Sequence, residues 1–481
     1  MKTILFFDRC DLTKLYILLT KHLSSNFNII HVAFSAHEEK LLKEAEINDY
    51  INYQDIISHI ADNVAITGSL LKEIDDFVYN TSCHRFTLNG SIQSDRGFTT
   101  LSYDEALKAS ACHYLAWKEI FNKHKVALMY HEPCSMFMTH IAALLCKDQG
   151  GIYRYPVQQS SDLDFYSYLN IDGENYDCKE IEDKYKYYSE NKDAINKERC
   201  EAFLKQFRES YNVFLEGLVN NKMSWGKLLS NALKNKIIYF LYKNKFDKIK
   251  DNIDYWLVRN NKYAEKLRNI WNYKRNHIRF CTEINEGEKY YYYSLHLEPE
   301  ATVLYLGEGM YTNQIKLIEN IAASLPVGYY LYVKDHPHEY AYRKADDYAR
   351  LLKVPNIRLI HQGLSGKQLI KNSQGVFTIN GTAGFEGLLL GKQVYCFGQS
   401  YYSFQNRINY IRNIRDLKDI VHKNQRTTYN DDEDLYAYLC AYLESMHKGF
   451  VTYFSDRPEK AGINQDENAM FIANDIIEEL K

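Results

Sequence analysis

At 481 residues, 46% hydrophobic and 25% charged with a net charge of −3, the chain exceeds one ordinary core and divides into at least two soluble domains. So balanced a charge argues against a dedicated nucleic-acid binder, and no apolar run approaches the roughly 18 residues of a membrane span. The ten cysteines include no C-x-x-C pair, so neither a zinc ribbon nor a redox motif is indicated and a reducing cytosol is the simpler home. The opening MKTILFFDRCDL becomes charged at Asp8–Arg9, too soon for a signal-peptide core, and a cytoplasmic protein is expected.

Taken in order, Thr3–Asp8 reads as a buried strand, Leu12–Leu23 as a helix and Asn28–Phe34 as a second strand, the way a doubly wound α/β domain begins. Ser94–Arg96 (SDR) precedes a helix at Tyr103–His124. The strand Ala127–Pro133 (ALMYHEP) ends in His131 and Glu132, and a helix, Ser135–Cys146, and a strand, Ile152–Val157, follow. A carboxylate at a strand's carboxyl end sits where α/β sheets bind ligands, which makes Glu132 a candidate acid or base; a helix cap or surface carboxylate is the plain alternative. Asp162-Leu163-Asp164 has the D-x-D form by which some glycosyltransferases hold a metal–diphosphate, but it lies in a Ser/Asp-rich loop and no metal is expected. Residues 222–279 carry fifteen Lys/Arg against four Asp/Glu, with Trp225, Trp256 and Trp271 among them. That mixture suits an anionic membrane interface, and equally a solvated face around core aromatics.

From Tyr290–Ser294 onward the pattern is regular. Strand candidates at Ala301–Leu306, Gly328–Val333, Ile357–His361, Gly375–Ile379 and Gln393–Phe397 alternate with helices at Asn313–Ser324, Tyr342–Leu352, Gly366–Asn372 and Phe385–Leu390. This predicts a parallel sheet covered on both faces, with every strand's carboxyl end on one edge. The distinctive residues fall at those ends: Glu308 between Gly307 and Gly309, Lys334 with His336 and Pro337, and the turn Asn380-Gly381-Thr382-Ala383-Gly384 opening a helix that carries Glu386. Small residues and a helix N-terminus suit a phosphate, His336 and Lys334 can neutralise it, and Glu386 can accept from ribose hydroxyls. The P-loop, G-x-G-x-x-G and G-x-S-x-G signatures are missing, which argues against an ATPase, a dinucleotide oxidoreductase and an α/β-hydrolase.

The runs SLHLEPEATVL, LYVKDHP and TINGTAGFEGLLLGKQVYCFG, between Glu288 and Gly398, resemble the capsule polysaccharide biosynthesis family, which includes bacterial transferases of 3-deoxy-manno-octulosonic acid (Kdo). The chain departs from the family pattern at Ser294, Glu298 and Gln399–Gln405. The resemblance implies a GT-B fold: two Rossmann-like, doubly wound domains facing across a cleft. An N-terminal acceptor domain would span 1–285, with a basic helical insertion at about 200–280. A nucleotide-sugar domain would span 286–430, and residues 431–481 would form helices of which the last returns to the first domain. It further implies a CMP-linked sugar as substrate, gripped by the His-Pro motif, with no cofactor and no metal. Glu132, Asp95 and His131 are then the catalytic candidates. The expected partners are a nucleotide-sugar donor and a glycan or glycolipid acceptor, with peripheral membrane association through 222–279 and no nucleic acid. Two other readings stand beside a glycosyltransferase: transfer of a phospho-alcohol from a CDP-activated donor, as in teichoic-acid synthesis, and a non-catalytic assembly subunit.

Overall fold

The computed structural model describes residues 1–9, 12–98, 101–159, 167–209, 230, 233, 237, 281–282, 284–285, 287–298, 300–336, 343–361, 363–425, 427, 429, 432–451 and 464–481. They form two compact units, one from Met1–Lys179 and Ser445–Lys481, the other from the described residues between Glu180 and Glu444.

The first unit runs through β1 (Thr3–Asp8), α1 (Leu12–Leu23), β2 (Asn28–Ala33), α2 (Ala36–Glu44), β3 (Ile51–Asn52), α3 (Tyr53–Asn63), α4 (Gly68–Thr81), α5 (Leu88–Gln93), α6 (Tyr103–Lys123), β4 (Val126–Tyr130), α7 (Phe137–Asp148), β5 (Ile152–Gln159) and β6 (Ser167–Asp172). Then come α8 (Lys179–Glu190), α9 (Lys197–Glu209), β7 (Lys289–Ser294), α10 (Gln314–Ser324), β8 (Tyr329–Lys334), α11 (Ala345–Leu351), β9 (Ile357–Ile360), α12 (Gly366–Asn372), β10 (Gly375–Thr378), α13 (Thr382–Leu389), β11 (Gln393–Cys396), β12 (Ile408–Tyr410), α14 (Leu417–Asn424) and α15 (Glu433–Glu444). Finally β13 (His447–Lys448) and α16 (Gln465–Glu479) rejoin the first unit. Helix α9 groups with the second unit although it precedes position 285. Its Arg208 pairs at 2.7 Å with Asp432, beside the start of α15, and that guanidinium helps hold the Asp432 carboxyl below its ordinary range.

Among the described residues the first sheet has seven strands in the order β13-β6-β5-β4-β1-β2-β3, parallel from β5 to β3 and antiparallel across β5–β6 and β6–β13. The second has six parallel strands in the order β12-β11-β10-β7-β8-β9. Read from β9 and numbered within the unit, that is 3-2-1-4-5-6, the doubly wound order of dinucleotide-binding folds. Strands covered on both faces must be apolar throughout, and Ile4–Phe7 of β1 are all fully buried.

In the second sheet tyrosine does this work. The rings of Tyr290 and Tyr332 stack at 3.8 Å on one face, while Tyr291, Phe377 and Tyr395 pack together on the other, as the two-residue period of a strand requires. The buried Tyr290 hydroxyl donates to Leu369 O at 2.8 Å. The 42 tyrosines of the chain therefore include core positions. In the first unit, Ala469, Ile472, Ala473 and Ile476 of α16 share a buried cluster with Leu15, Tyr16, Leu19 and Leu23 of α1. At about 1.5–3 kcal/mol for each large side chain taken out of water, this contact fixes the last helix in the first unit.

One predicted strand is corrected. Residues 301–310 form a series of turns, closed by Glu308 and Gly309 with φ of 59° and 66°. The first strand of this sheet is β7, which already pairs with β8 and β10, so the apolar run Ala301–Leu306 has no ladder to join.

Candidate functional site

The strand order of the second sheet reverses at β7 and β10, and a doubly wound sheet opens a ligand site outside the carboxyl ends of the strands at that point. Leu295 and His296 leave β7 there, and Ile379–Gly381 leave β10. The turn series 301–310 reaches the same edge without being a strand end: the buried Asn380 side chain donates to Leu306 O at 3.0 Å and Thr302 O at 3.2 Å. Glu308 is held by the Tyr410 hydroxyl, which donates to it at 2.8 Å from the end of β12.

Helix α13 begins three residues before the predicted start, so Thr382, Ala383 and Gly384 are its first turn. Its N-cap is Gly381, which has no side chain to satisfy the first N–H groups. The glycines here answer to packing. A Cβ on Gly384 would lie 2.5 Å from the Tyr402 hydroxyl and 2.9 Å from Thr378 Cγ2, and one on Gly381 would lie 2.9 Å from His296 Nε2. The N-cap is fixed from both sides: Gly381 N–H donates to Thr378 Oγ1 at 3.0 Å, and the Tyr402 hydroxyl donates to Gly381 O at 2.5 Å. An uncapped, rigid helix N-terminus at a switch point is suited to an anion.

Lys334 closes β8 and is buried, and His336, two residues on, is half-buried. Pro337 lies outside the described residues, as do Asp162–Asp164 and nearly all of 222–279. Glu386 is half-buried one turn into α13, where it opposes the effect of burial on the Lys367 ammonium, whose pKa is lowered.

Two residues of this edge, Gln314 and Arg343, stand in no motif of the sequence, and two more, His296 and Thr378, lie in the family-like runs SLHLEPEATVL and TINGTAGFEGLLLGKQVYCFG with no role assigned to them there. Gln314 Oε1 accepts from His296 N at 2.8 Å, and Gln314 Nε2 donates to His296 O at 3.0 Å. Arg343 donates to His296 O at 3.2 Å and to Glu298 at 3.1 Å. Asp335 lies on the other side of Arg343 at 3.4 Å and accepts from the Tyr348 hydroxyl at 2.6 Å. Burial raises the Asp335 carboxyl above its ordinary range, against the pull of Arg343.

The first sheet reverses between β1 and β4, and the residues leaving those strands form a second cluster. Arg9, after β1, makes an ion pair with Glu132, after β4. Burial disfavours the ionised form of Glu132, but Arg9, with His131 and Arg96, more than offsets it and holds the carboxyl below its usual range. The Glu132 backbone is fixed by the Tyr153 hydroxyl, which donates to its carbonyl at 2.7 Å. His131 is buried, 3.4 Å from the Tyr16 hydroxyl through Nδ1 and 4.0 Å from Glu132 through Nε2; burial brings its pKa down to about 4, so the ring is neutral. Asp95 has a different task. Its Oδ1 accepts from Gly97 N at 2.5 Å and Phe98 N at 3.0 Å, and its Oδ2 from Phe137 N at 2.5 Å. The α7 N-cap residue, Met136, has no capping side chain, so Asp95 caps that helix from 42 residues away. With both oxygens occupied, Asp95 is a structural carboxylate and Glu132 is the better acid/base candidate.

Two doubly wound, Rossmann-like units in one chain are the makeup of the GT-B fold class. Residues 199–425, a little under half of the chain, match the family model described as "Capsule polysaccharide biosynthesis protein". No match was found among curated proteins. The solved structures to which the chain is similar include Thermosulfurimonas dismutans KpsC, beta Kdo 2,4 transferase (13% identity, 75% of this chain and 93% of that one, TM-score 0.33). They also include the beta Kdo 2,7 transferase of the same protein (14%, 75% and 89%, TM-score 0.32). A third is Anabaena Alr3699/HepE in complex with UDP (8%, 100% and 99%, TM-score 0.32). Likeness at this level assigns neither a residue nor an activity. Among the described residues no cluster of His, Cys, Asp and Glu is arranged to hold a metal, and no helix is long and apolar enough to cross a membrane.

Proposed function

We propose that the protein is a glycosyltransferase of bacterial capsule or related surface-polysaccharide synthesis. It transfers an acidic sugar, such as Kdo or a sialic acid, from a CMP-activated donor to a growing glycan or glycolipid. The observation that carries this reading is an uncapped helix N-terminus opening at the β7/β10 switch point, with β8, which ends in Lys334, paired to β7 on the other side.

In the transfer, the anomeric C–O bond to the CMP phosphate breaks and CMP leaves with the electron pair. The phosphate gains negative charge at that moment, and N–H groups already fixed in place stabilise it without reorganising. His336 and Lys334 add charge or hydrogen bonds to the same group, so the leaving step needs no metal ion. Glu386 and Glu308 accept from the nucleoside hydroxyls. The new bond forms from the acceptor oxygen to the anomeric carbon, and Glu132, kept ionised by Arg9, takes the acceptor's proton. The basic stretch 222–279 brings the enzyme to anionic lipid carrying the acceptor; failure to sediment with phosphatidylglycerol vesicles would remove that element. His336→Ala should keep its fold and lose transfer. Wild-type turnover in that variant would sink the assignment of the phosphate site.

A further inference from the structure

Arg343 has no task in the transfer just described, yet it stands where two strand ends part. The β7–β8 ladder runs as far as Ser294 opposite Lys334, and Leu295 N–H donates to Lys334 O at 2.9 Å. One residue further on, the guanidinium takes over the link. Its Nε lies 3.4 Å from Asp335 Oδ1, on the chain leaving β8. Its Nη1 donates to Glu298 Oε2 at 3.1 Å and its Nη2 to His296 O at 3.2 Å, both on the chain leaving β7. All three nitrogens thus span one gap, from a side chain that is 1% exposed.

The acceptors are themselves anchored. Asp335 Oδ2 accepts from the Tyr348 hydroxyl at 2.6 Å, while Gln314 holds the His296 backbone through N and O and donates to Glu298 Oε1 at 2.5 Å. A buried ion pair adds little net stability, because taking both charges out of water cancels most of their attraction. Asp335 carries that cost, its carboxyl being raised by burial against the pull of Arg343. What a planar, rigid fork does supply is a fixed distance between the two chains it joins. Each chain leads into the candidate site. His336 follows Asp335 directly, and the His296 ring reaches to 3.4 Å, Nε2 to Oγ1, from Thr378, the residue that accepts the Gly381 N–H at the start of α13.

We infer that Arg343 is a positioning residue for the donor site: it sets the spacing between the chain that carries His336 and the chain that abuts the start of α13, so that groups from both serve one phosphate. This rests on the nucleotide-sugar reading of the same site. Arg343 acts through these chains and not by touching the nucleotide. Lysine cannot replace it, because an ammonium is a point charge on a flexible stem and cannot serve three acceptors on two chains in one geometry.

The test is calorimetric titration of the full chain with CMP, in wild type and Arg343→Lys, at a temperature where urea unfolding shows each to be fully folded. Lysine keeps a positive charge beside Asp335, so a role in charge balance alone would leave CMP binding intact. Loss of position should weaken CMP about tenfold or more, the equivalent of one hydrogen bond to a charged group. CMP binding at wild-type strength in folded Arg343→Lys overturns the inference. Should that variant fail to fold, Asp335→Asn combined with Arg343→Gln decides, since it leaves no charge of the pair buried. The double variant should fold and bind CMP at least about tenfold more weakly. Wild-type affinity in the double variant overturns the inference, and so does failure of the double variant to fold, because the pair is then needed for the fold itself. Wild-type protein that binds no CMP overturns the nucleotide reading, an outcome distinct from failure of Arg343 alone.

Discussion

Replacing Asp95 by asparagine separates a structural carboxylate from a reactive one. The native side chain serves three backbone donors, Gly97 and Phe98 through one oxygen and Phe137 through the other. Asparagine keeps one acceptor and turns an NH2 toward a backbone N–H. At least one buried donor is then stranded, at about 1–3 kcal/mol, and losing the negative charge at the α7 N-terminus removes about 0.5–1 kcal/mol more. Part of this is offset, because burial already pushes the Asp95 carboxyl up to about 6 and a neutral amide is cheaper to bury. The net expectation is a loss of about 2–3 kcal/mol. Urea unfolding followed by far-UV circular dichroism reads the stability, and the initial rate of CMP release reads the chemistry. The midpoint should fall while the rate per folded molecule stays within a few-fold of wild type. An unchanged midpoint with a rate loss of about 10²–10⁴ would make Asp95 the acid/base and remove Glu132 from that role.

Glu132→Gln should show the opposite pattern, a rate loss of about 10²–10⁴ with CMP affinity unchanged; near-native turnover would clear Glu132 of catalysis. Acid should destabilise the fold through His113, His131 and His296, which burial brings to about 4 each. Their folded pKa values lie below the unfolded value of about 6.5, so the unfolded chain takes up protons first. The part of the stability that these rings supply is full above 6.5 and is lost between 6.5 and 4, by roughly 3 kcal/mol for each ring, and it outweighs the opposite gain below 6 from Asp8 and Asp95, two carboxyls that burial raises to about 6. Urea midpoints that stay flat from pH 7.5 to 4.5 would contradict neutral burial. Gly384→Ala places a Cβ 2.5 Å from the Tyr402 hydroxyl and should cost about 1–3 kcal/mol while weakening CMP through a displaced α13. A melting temperature equal to wild type would mean that Tyr402 moves aside freely.

Much of this architecture was legible in the chain. Short apolar runs ending in a charged or small residue, such as Thr3–Asp8 and Gly375–Ile379, became central strands because burial on both faces demands that composition. The turn at Asn380–Gly384 was readable because its small residues are forced by Tyr402, Thr378 and His296 crowding the helix start. Ala301–Leu306 misled, since an apolar run carries no mark that tells a buried turn from a strand, and Tyr290–Ser294 already held the central position. The run SLHLEPEATVL contains His296, but the contact it makes was hidden for another reason. His296 meets Thr378 across 82 positions of sequence, and only the reversal of strand order at β7 and β10 brings them together. Asp95 looked reactive for the same reason: its third hydrogen-bond donor, Phe137 N, is 42 residues away.

Calorimetric titration of the wild-type chain with CMP, CDP and UDP under one set of conditions tests most directly whether the β7/β10 switch point holds a CMP-linked sugar. CMP should bind, and more tightly than UDP and CDP. Tighter binding of CDP would favour transfer of a phospho-alcohol, and no binding of any nucleotide would contradict the enzyme assignment altogether.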